Sequence, residues 1–222
     1  MEKALLTGRL LPPASALKGR TRAVAGSEFC QNRLPSAAVL AGLRARGLKA
    51  TLATSILTDE GLAAAGKLAR AAFRRGLIDE VIVNDWGLFA CLKGLKGLSL
   101  SAGRLLCVEL SAAEPGWARR FLAEHGVSFA ETDDAAMAAR LRGLGLKVSW
   151  HAPHAFRAVT TYCPFERHFR ASCGFSCEGR VLRLSNPKVG TLLLASKVYL
   201  APGAPARPPA GVRRLVERYN IG

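Results

Sequence analysis

The sequence lacks long hydrophobic runs, and no segment reaches the ~18 uninterrupted apolar residues of a membrane helix. Its first residues, MEKALLTGRLLPP, hold only a short apolar run interrupted by Arg9, without a small-residue cleavage site behind it. We therefore expect a cytoplasmic protein that does not enter a membrane. In that compartment thiols stay reduced, and clustered cysteines bind metal more often than they form disulfides.

Acidic residues are scarce: 16 Asp and Glu stand against 32 Lys and Arg, which gives a net charge of +16. From Arg157 onward there are eleven Arg or Lys and three acids, a net charge of +8 in that region. Such a surface attracts RNA or anionic substrates. The excess consists of scattered single arginines, with no polybasic tract and no RNP, zinc-finger or helix-turn-helix signature. An arginine-rich surface without a nucleic-acid partner is therefore the favoured interpretation, and a surface that binds RNA or anions is the alternative.

Hydrophobic residues make up half of the chain, and short apolar runs alternate with longer amphipathic ones. The pattern predicts strands at 21–26, 49–57, 79–85, 98–103, 106–110, 127–131 and 146–152, and helices at 35–47, 60–76, 86–97, 115–126 and 134–145. This β-α order predicts an α/β fold, a parallel βα-repeat sheet of the TIM-barrel type, forming one domain over 1–222. Because a full barrel usually needs ~250 residues, we expect a compact or incomplete one.

The regular pattern breaks at about Ala155. The segment 155–180 has no clean period and holds three cysteines, so we expect an irregular, cysteine-rich, cluster-binding loop. Beyond it, RVLRLSN and TLLLASKVYL predict a hairpin or two short strands, APGAPARPPAG a proline-rich loop, and VRRLVERYNIG a terminal helix or the remnant of a strand and helix.

Six cysteines are present, of two kinds. Cys91 and Cys107 lie in apolar runs and are typical of small buried hydrophobic residues. Cys30 follows the strand at 21–26, at the end where α/β proteins place their sites, while Cys163, Cys173 and Cys177 form a C-x9-C-x3-C pattern. Four thiolates are the ligand set of a 4Fe-4S cluster or an all-cysteine zinc site. The absence of C-x2-C knuckles favours the cluster, although zinc, a redox disulfide and no metal at all remain open.

Four stretches resemble the collagenase-like peptidase family, and within it the UbiU/UbiV-type iron-sulfur proteins of oxygen-independent ubiquinone biosynthesis. AGSEFCQNR resembles the family's Gly-Glu-x-x-Cys segment, with the Glu one place later. EVIVNDWG resembles a strand that ends in an Asp-x-Gly turn, CVELS a Val-Glu-Leu-Ser strand, and SWHAPHAFRAVTTYCPFERHFRASCGFSC a strand that runs into a cysteine-rich loop. The likeness covers roughly residues 20 to 200.

The resemblance implies a ligand set. In the UbiV-like members, one early cysteine joins a later C-x12-C-x3-C set around a 4Fe-4S cluster. By that match Cys30, Cys163, Cys173 and Cys177 would hold the cluster here, with nine residues in place of twelve in the first gap. Tyr162, Phe165, Phe169 and Phe175 would then supply apolar wrapping.

The resemblance also implies a function. Relatives support oxygen-independent hydroxylation of a quinone precursor, as a heterodimer of two family members, or of tRNA or ribosomal RNA bases. Peptidase activity is not expected, because the chain has no G-x-S-x-G and no H-E-x-x-H. The resulting prediction is a 4Fe-4S component of an oxygen-independent hydroxylation or related redox system that acts on a small molecule, with a paralogous partner. The alternatives are an RNA-binding or RNA-modifying protein and a zinc-stabilised structural module.

Candidate catalytic residues follow from positions near predicted strand ends. Asp85, Glu109, His151 and His154 would line a cleft beside the cluster, where a histidine would move protons. Each has a structural alternative: Asp85 as a helix cap, Glu109 in an ion pair with an arginine, and the histidines as hydrogen-bonded core residues.

Overall fold

A computed structural model describes residues 1–169, 172–203 and 208–219. Its strands are β1 (Glu2–Gly8), β2 (Arg22–Gly26), β3 (Lys49–Ala53), β4 (Glu80–Val83), β5 (Ser99–Ala102), β6 (Val127–Thr132), β7 (Lys147–Ala152), β8 (His154–Val159), β9 (Leu182–Asn186), β10 (Gly190–Ala195), β11 (Val198–Pro202) and β12 (Arg214–Arg218). Its helices are α1 (Ala14–Leu17), α2 (Ala37–Ala45), α3 (Asp59–Arg74), α4 (Trp86–Leu92), α5 (Arg104–Ala112), α6 (Pro115–Glu124) and α7 (Ala135–Gly143), with a 3₁₀ turn at Gln31–Arg33.

Eight strands form a closed barrel in the order β1-β12-β7-β6-β5-β4-β3-β2. All eight pairings are parallel, and β12 completes the circle between β1 and β7. The prediction of an α/β, TIM-barrel-like fold is confirmed. The barrel is compact rather than incomplete, because its strands are only four to seven residues long and most of its connections are short.

The main hydrophobic core lies between the barrel and its helices, as expected for strands covered on their outer face. Inside the barrel a small apolar layer, which consists of Ala4, Leu6, Val24, Ala53, Ile82 and Val216, lies above an ion-pair network. In that network Arg214 donates to both carboxylate oxygens of Glu80 at 2.7 Å and to Glu2 at 2.6 Å, and Arg22 donates to Glu2 at 3.0 Å. The barrel is therefore filled by side chains at its N-terminal end.

Three predictions of secondary structure are wrong. The start of the segment 155–180, expected to be irregular, belongs to strand β8. Residues 106–110, expected as a strand, belong to helix α5, in which Leu106, Cys107 and Leu110 are buried on one face and Val108 and Glu109 are exposed. The terminal segment, expected as a helix or remnant, forms the barrel strand β12. The first strand, β1, follows no pattern that we identified in the sequence.

A second, antiparallel sheet, with the order β8-β11-β10-β9, is inserted in the chain between barrel strands β7 and β12. Its apolar face packs against Phe29 near the end of β2, and the rings of Phe29 and Phe156 stack at 5.2 Å. The predicted hairpin around Asn186 corresponds to β9 and β10. Part of the predicted proline-rich loop, residues 204–207, lies outside the described residues. Among the helices of the described ranges, none is long and apolar enough to cross a membrane.

Candidate functional site

A cavity of about 430 Å³ opens at the C-terminal end of the barrel. Its wall is formed by the ends of β1, β2 and β12, by residues 10–13, by the turn between β10 and β11, and by residues 177–181. Gly26, at the end of β2, has a φ of +113°, and a Cβ there would lie 2.2 Å from the carbonyl oxygen of Ala53. This is the end of a barrel at which catalytic and binding residues collect.

Cys30 lies just beyond β2 and is 6% exposed. Burial raises the pKa of its thiol, and the nearby thiol of Cys177 acts in the same direction. Hydrogen bonds from the Asn32 backbone and the Ser196 side chain and the charge of Lys197 oppose that rise. Cys30 is thus held between the barrel and the turn between β10 and β11.

The cysteine-rich loop is organised around Glu166. Its carboxylate accepts hydrogen bonds from the backbone N–H groups of Gly174 at 3.0 Å and Ser176 at 2.8 Å, and it lies 3.3 Å from Nε2 of His168. These bonds lower the pKa of Glu166 to about 2. Because Glu166 follows Cys163 and its backbone partners lie between Cys173 and Cys177, one carboxylate connects the two halves of the loop.

The two later cysteines accept hydrogen bonds through sulfur. The backbone N–H of Phe175 donates to Sγ of Cys173 at 3.3 Å, and the guanidinium of Arg33 donates to Sγ of Cys177 at 3.4 Å. Burial raises the pKa of Cys173, and its thiol interacts electrostatically with those of Cys177 and Cys30. Three of the four predicted ligands, from two distant parts of the chain, therefore lie near enough to interact electrostatically.

Cys163 is 5% exposed, and its backbone pairs with that of His168. Within the part of the chain that the structure describes, no group of three or more His, Cys, Asp or Glu side chains is arranged to hold a metal ion. The cysteines that we expected to be structural lie elsewhere. Cys107 is buried in α5 and donates to the carbonyl of Ala102 at 3.3 Å, and the partly exposed Cys91 packs against Gly66.

Backbone strain is concentrated around the cysteines. In the described ranges, the residues other than glycine with positive φ are Arg167, Phe175 and Ser196. Two lie in the cysteine-rich loop, and the third hydrogen-bonds with Cys30. Such residues cost of order 1–3 kcal/mol each and cluster at functional sites.

The four aromatic residues of the loop do not act as one group. The guanidinium of Arg9 lies 3.6 Å from the ring centroid of Phe175, and that of Arg180 lies 5.5 Å from Phe165. Phe169 is 70% exposed and meets Tyr162 edge-on. The expectation that Phe169 shields the cysteines is therefore wrong.

Asp85 and Glu109 occupy structural positions. Asp85 caps α4, accepting from the backbone N–H groups of Gly87 and Leu57, both at 2.9 Å. Glu109 lies on the exposed outer face of α5, not at a strand end, and accepts from the indole N–H of Trp86 at 2.5 Å. Neither belongs to the described lining of the cavity.

The two histidines lie at the C-terminal end of the barrel but also outside that lining. His151, 4% exposed, is 2.8 Å from Glu131 through Nε2. His154 begins β8, and its Nδ1 is buried without a hydrogen-bond partner among the described residues. Burial and the charge of Arg218 lower the pKa of His154.

The sequence did not reveal a buried ion-pair network at this end of the barrel. Glu28 is fully buried and accepts three hydrogen bonds from Arg104, whose guanidinium also reaches Asp133 at 3.0 Å. Burial tends to raise the pKa of Glu28, but the charges of Arg104 and His151 and the hydrogen bonds hold it at about 2. The available signals were the Glu in AGSEFC and the acids in ETDD after an apolar strand.

A serine, a glutamate and a histidine also meet inside the barrel. Ser101 donates to Oε1 of Glu131 at 2.7 Å, and His151 lies on the other oxygen of the same carboxylate. The acid therefore stands between the serine and the histidine. In a catalytic triad the imidazole must stand in the middle, so that it takes the proton of the serine. This arrangement does not activate Ser101.

The chain is similar in structure to the U32 peptidase Mk0906, with a TM-score of 0.53 and 13% sequence identity, over 99% of this chain and 93% of that chain. No family model and no curated protein matches the chain. At this identity the likeness shows a shared fold. The fold that the resemblance to collagenase-like peptidases implied is thus confirmed, and its finer implications belong to the proposal below.

Proposed function

We propose that this protein binds a 4Fe-4S cluster through Cys30, Cys163, Cys173 and Cys177 and supports an oxygen-independent hydroxylation or related redox reaction. In this role the protein would resemble the UbiU/UbiV-type iron-sulfur proteins and would act together with a paralogous partner protein. The observation that supports it is that Cys30, Cys173 and Cys177 lie near enough to interact electrostatically, and that Cys177 lines the cavity. A small molecule in that cavity would lie next to Cys177.

The donor set fits such a cluster. Four thiols, two of them with N–H or guanidinium donors to sulfur, match the ligands and the hydrogen bonding that set cluster potentials. The raised pKa values of Cys30 and Cys173 mean that loading must displace protons from these thiols. When bound, the cluster would supply electron transfer. The number of cysteines and the burial of their side chains support this assignment. A preformed metal geometry among the described residues does not contribute to it.

The chain's own residues define the rest of the site. Arg33 donates to Cys177 and is paired with Glu178 at 2.8 Å, and Arg9 is paired with the same carboxylate at 2.9 Å. These contacts fasten the cysteine-rich loop to the end of β1 and to the 3₁₀ turn after Cys30. Phe29 and Val198 give the cavity an apolar wall that keeps water from part of its surface.

Because the fold is shared with a U32 peptidase, hydrolysis of a peptide bond is the second candidate function. The order serine, glutamate and histidine argues against it, because Ser101 has no imidazole to accept its proton. We expect no cleavage of unstructured peptides by the purified protein.

The test of the metal is purification under anaerobic conditions, followed by an absorbance spectrum and by iron, sulfide and zinc analysis. We expect a brown protein with about four iron and four sulfide per chain, the content of one such cluster. A colourless protein with stoichiometric zinc would instead support the zinc-stabilised module.

Single cysteine variants test the ligand set. Cys30→Ala should lose iron although it leaves the cysteine-rich loop intact, and Cys163→Ala, Cys173→Ala and Cys177→Ala should do the same. Cys91→Ala and Cys107→Ala are the matched controls and should keep it. Full iron retention in the Cys30 variant would contradict the four-ligand assignment.

A further inference from the structure

Arg218 differs from the other arginines inside the barrel. Along β12, Arg214, Val216 and Arg218 alternate with outward-facing residues, and Arg214 is fully committed to Glu80 and Glu2. The side chain of Arg218 has no hydrogen bond or ion pair with any described residue. The contact that it does make is with Phe29, whose ring centroid lies 5.7 Å from its guanidinium carbon.

The acids nearest to Arg218 are already occupied. Glu28 and Asp133 both bind Arg104, at 2.7 and 3.0 Å, and Asp133 also accepts from the backbone N–H of Phe156 at 2.8 Å. Burial and the charges of Arg104 and Arg33 lower the pKa of Arg218 to about 9, against a weaker opposite effect of Glu28 and Asp133. At neutral pH the guanidinium therefore remains charged, and holding this partly buried charge without a paired carboxylate costs free energy. An anion beside it would remove that cost.

The cavity offers space for such an anion. Its charged lining consists of three arginines, Arg33, Arg180 and Arg218, against the single acid Glu178. Glu178 is itself bound by both Arg9 and Arg33. The opposite lining is apolar, with Leu6, Leu10, Leu11, Phe29, Val181 and Val198. A volume of about 430 Å³ is in the range of small-molecule sites.

We propose that the cavity binds a small organic anion, whose carboxylate or phosphate lies on Arg218 and whose apolar body lies against Phe29 and Val198. That the anion is the substrate of the redox reaction rests on the function proposed above. That the cavity binds the anion at all does not require the cluster. A planar guanidinium holds a carboxylate or phosphate through two parallel hydrogen bonds. The limited volume and the half-apolar lining favour a small molecule over the phosphate backbone of a nucleic acid, which follows long charged grooves.

Binding of benzoate, phenyl phosphate and the neutral benzyl alcohol, measured by calorimetry, tests the site. We expect at least one of the two anions to bind and the alcohol to bind at least tenfold more weakly, because the neutral alcohol cannot form charge-assisted hydrogen bonds with Arg218. A preference between carboxylate and phosphate then identifies the head group. Failure of both anions to bind at about 10 mM would overturn the proposal.

Arg218→Met keeps the length of the side chain and removes its charge. It should weaken binding of the anion tenfold or more, Arg218→Lys should restore part of it, and Arg183→Met, on the exposed strand β9, should leave it unchanged. The melting temperature of the Arg218→Met variant should equal or exceed that of the wild type, because no partner is lost. Equal affinity of wild type and Arg218→Met, or a strongly lowered melting temperature, would contradict the proposal.

The same titrations with aerobically prepared, iron-free protein separate the two proposals. If iron-free protein binds an anion, the anion site is supported even when the redox role fails. If iron-loaded protein binds neither anion, the cluster is supported and the anion site is wrong. A separate titration with a single-stranded RNA oligonucleotide is informative as well. If only RNA binds, and Arg218→Met abolishes that binding, the cavity serves a nucleic acid and the small-anion proposal is wrong.

Discussion

Individual buried charges define the C-terminal end of this barrel, and Glu28 is the clearest case. It is fully buried, yet its charge is stabilised by Arg104, which is itself 5% exposed. A buried ion pair contributes little net stability, but removal of one partner leaves the other charge uncompensated. Glu28 and Arg104 therefore depend on each other.

Glu28→Gln should lower the free energy of unfolding by about 3 kcal/mol, because Arg104 keeps only Asp133 as a charged partner. Urea denaturation followed by circular dichroism measures the change. Glu109→Gln is the matched control: the amide oxygen still accepts from Trp86 on the exposed face of α5, so the change should stay within about 0.5 kcal/mol. Similar losses in both variants would show that Glu28 is not a special position.

The low pKa of Glu28 also predicts a pH dependence. Its pKa is about 2 in the folded protein and 4.5 ordinarily, so below pH 4.5 the unfolded chain binds more protons than the folded chain. The contribution of Glu28 is therefore present above pH 4.5 and is lost as the pH falls towards 2. Urea midpoints between about pH 2.5 and 6 should fall less steeply in Glu28→Gln than in the wild type. Parallel curves would mean that other acids cause the acid sensitivity.

At the scale of elements, the cysteine-rich loop depends on one carboxylate more than on packing. Glu166→Ala removes the acceptor for the backbone N–H groups of Gly174 and Ser176. We expect faster amide hydrogen exchange over 173–177 and less bound metal, with the melting temperature of the barrel nearly unchanged, since the loop can open locally. Glu124→Ala, on the exposed face of α6, is the control and should change neither quantity. Unchanged exchange in Glu166→Ala would show that the loop is held by its other contacts.

The predicted and observed elements agree where the hydrophobic period and the length of a segment indicate the same type of element. Helix α3, with sixteen residues and a strong amphipathic pattern, lies within one or two residues of its predicted bounds. The run LCVEL was ambiguous, because a short apolar run fits a buried strand and a buried helix face equally well. Gly103 and Arg104 decided the outcome, since Glu28, distant in sequence, binds the backbone N–H and side chain of Arg104 at the first turn of α5.

The site was predictable in part for the same reason. Cysteines stand out in a sequence by type, so Cys30, Cys163, Cys173 and Cys177 were identified, and their role as ligands stays a prediction. Arg218 carries no such signal, because its importance arises from the acids that neighbouring arginines occupy. Only the three-dimensional arrangement shows that the guanidinium of Arg218 lies in the cavity wall without an ion pair to a described residue.

At the scale of the whole molecule, the barrel is closed by the two strands that lie furthest apart in the chain. Strand β12 pairs with β1 from Glu2 to Leu6 and with β7 from Ser149 to Ala152. Its Arg214 also neutralises Glu80 and Glu2 at the N-terminal end of the barrel. The last strand thus supplies both a wall and the charge that makes the interior stable.

A chain that stops after Ala210 should therefore fail to form the barrel. Strands β1 and β7 would each present an unpaired edge, Glu80 would be buried without Arg214, and open strand edges lead to association. We expect loss of a cooperative thermal transition and soluble aggregates in size-exclusion chromatography. A chain that stops after Tyr219 keeps every strand pairing and is the control. If the shorter chain unfolds cooperatively, with a melting temperature near that of the control, seven strands and their helices suffice for folding. Strand β12 would then contribute to the cavity, through Arg218, and would not be needed for the fold.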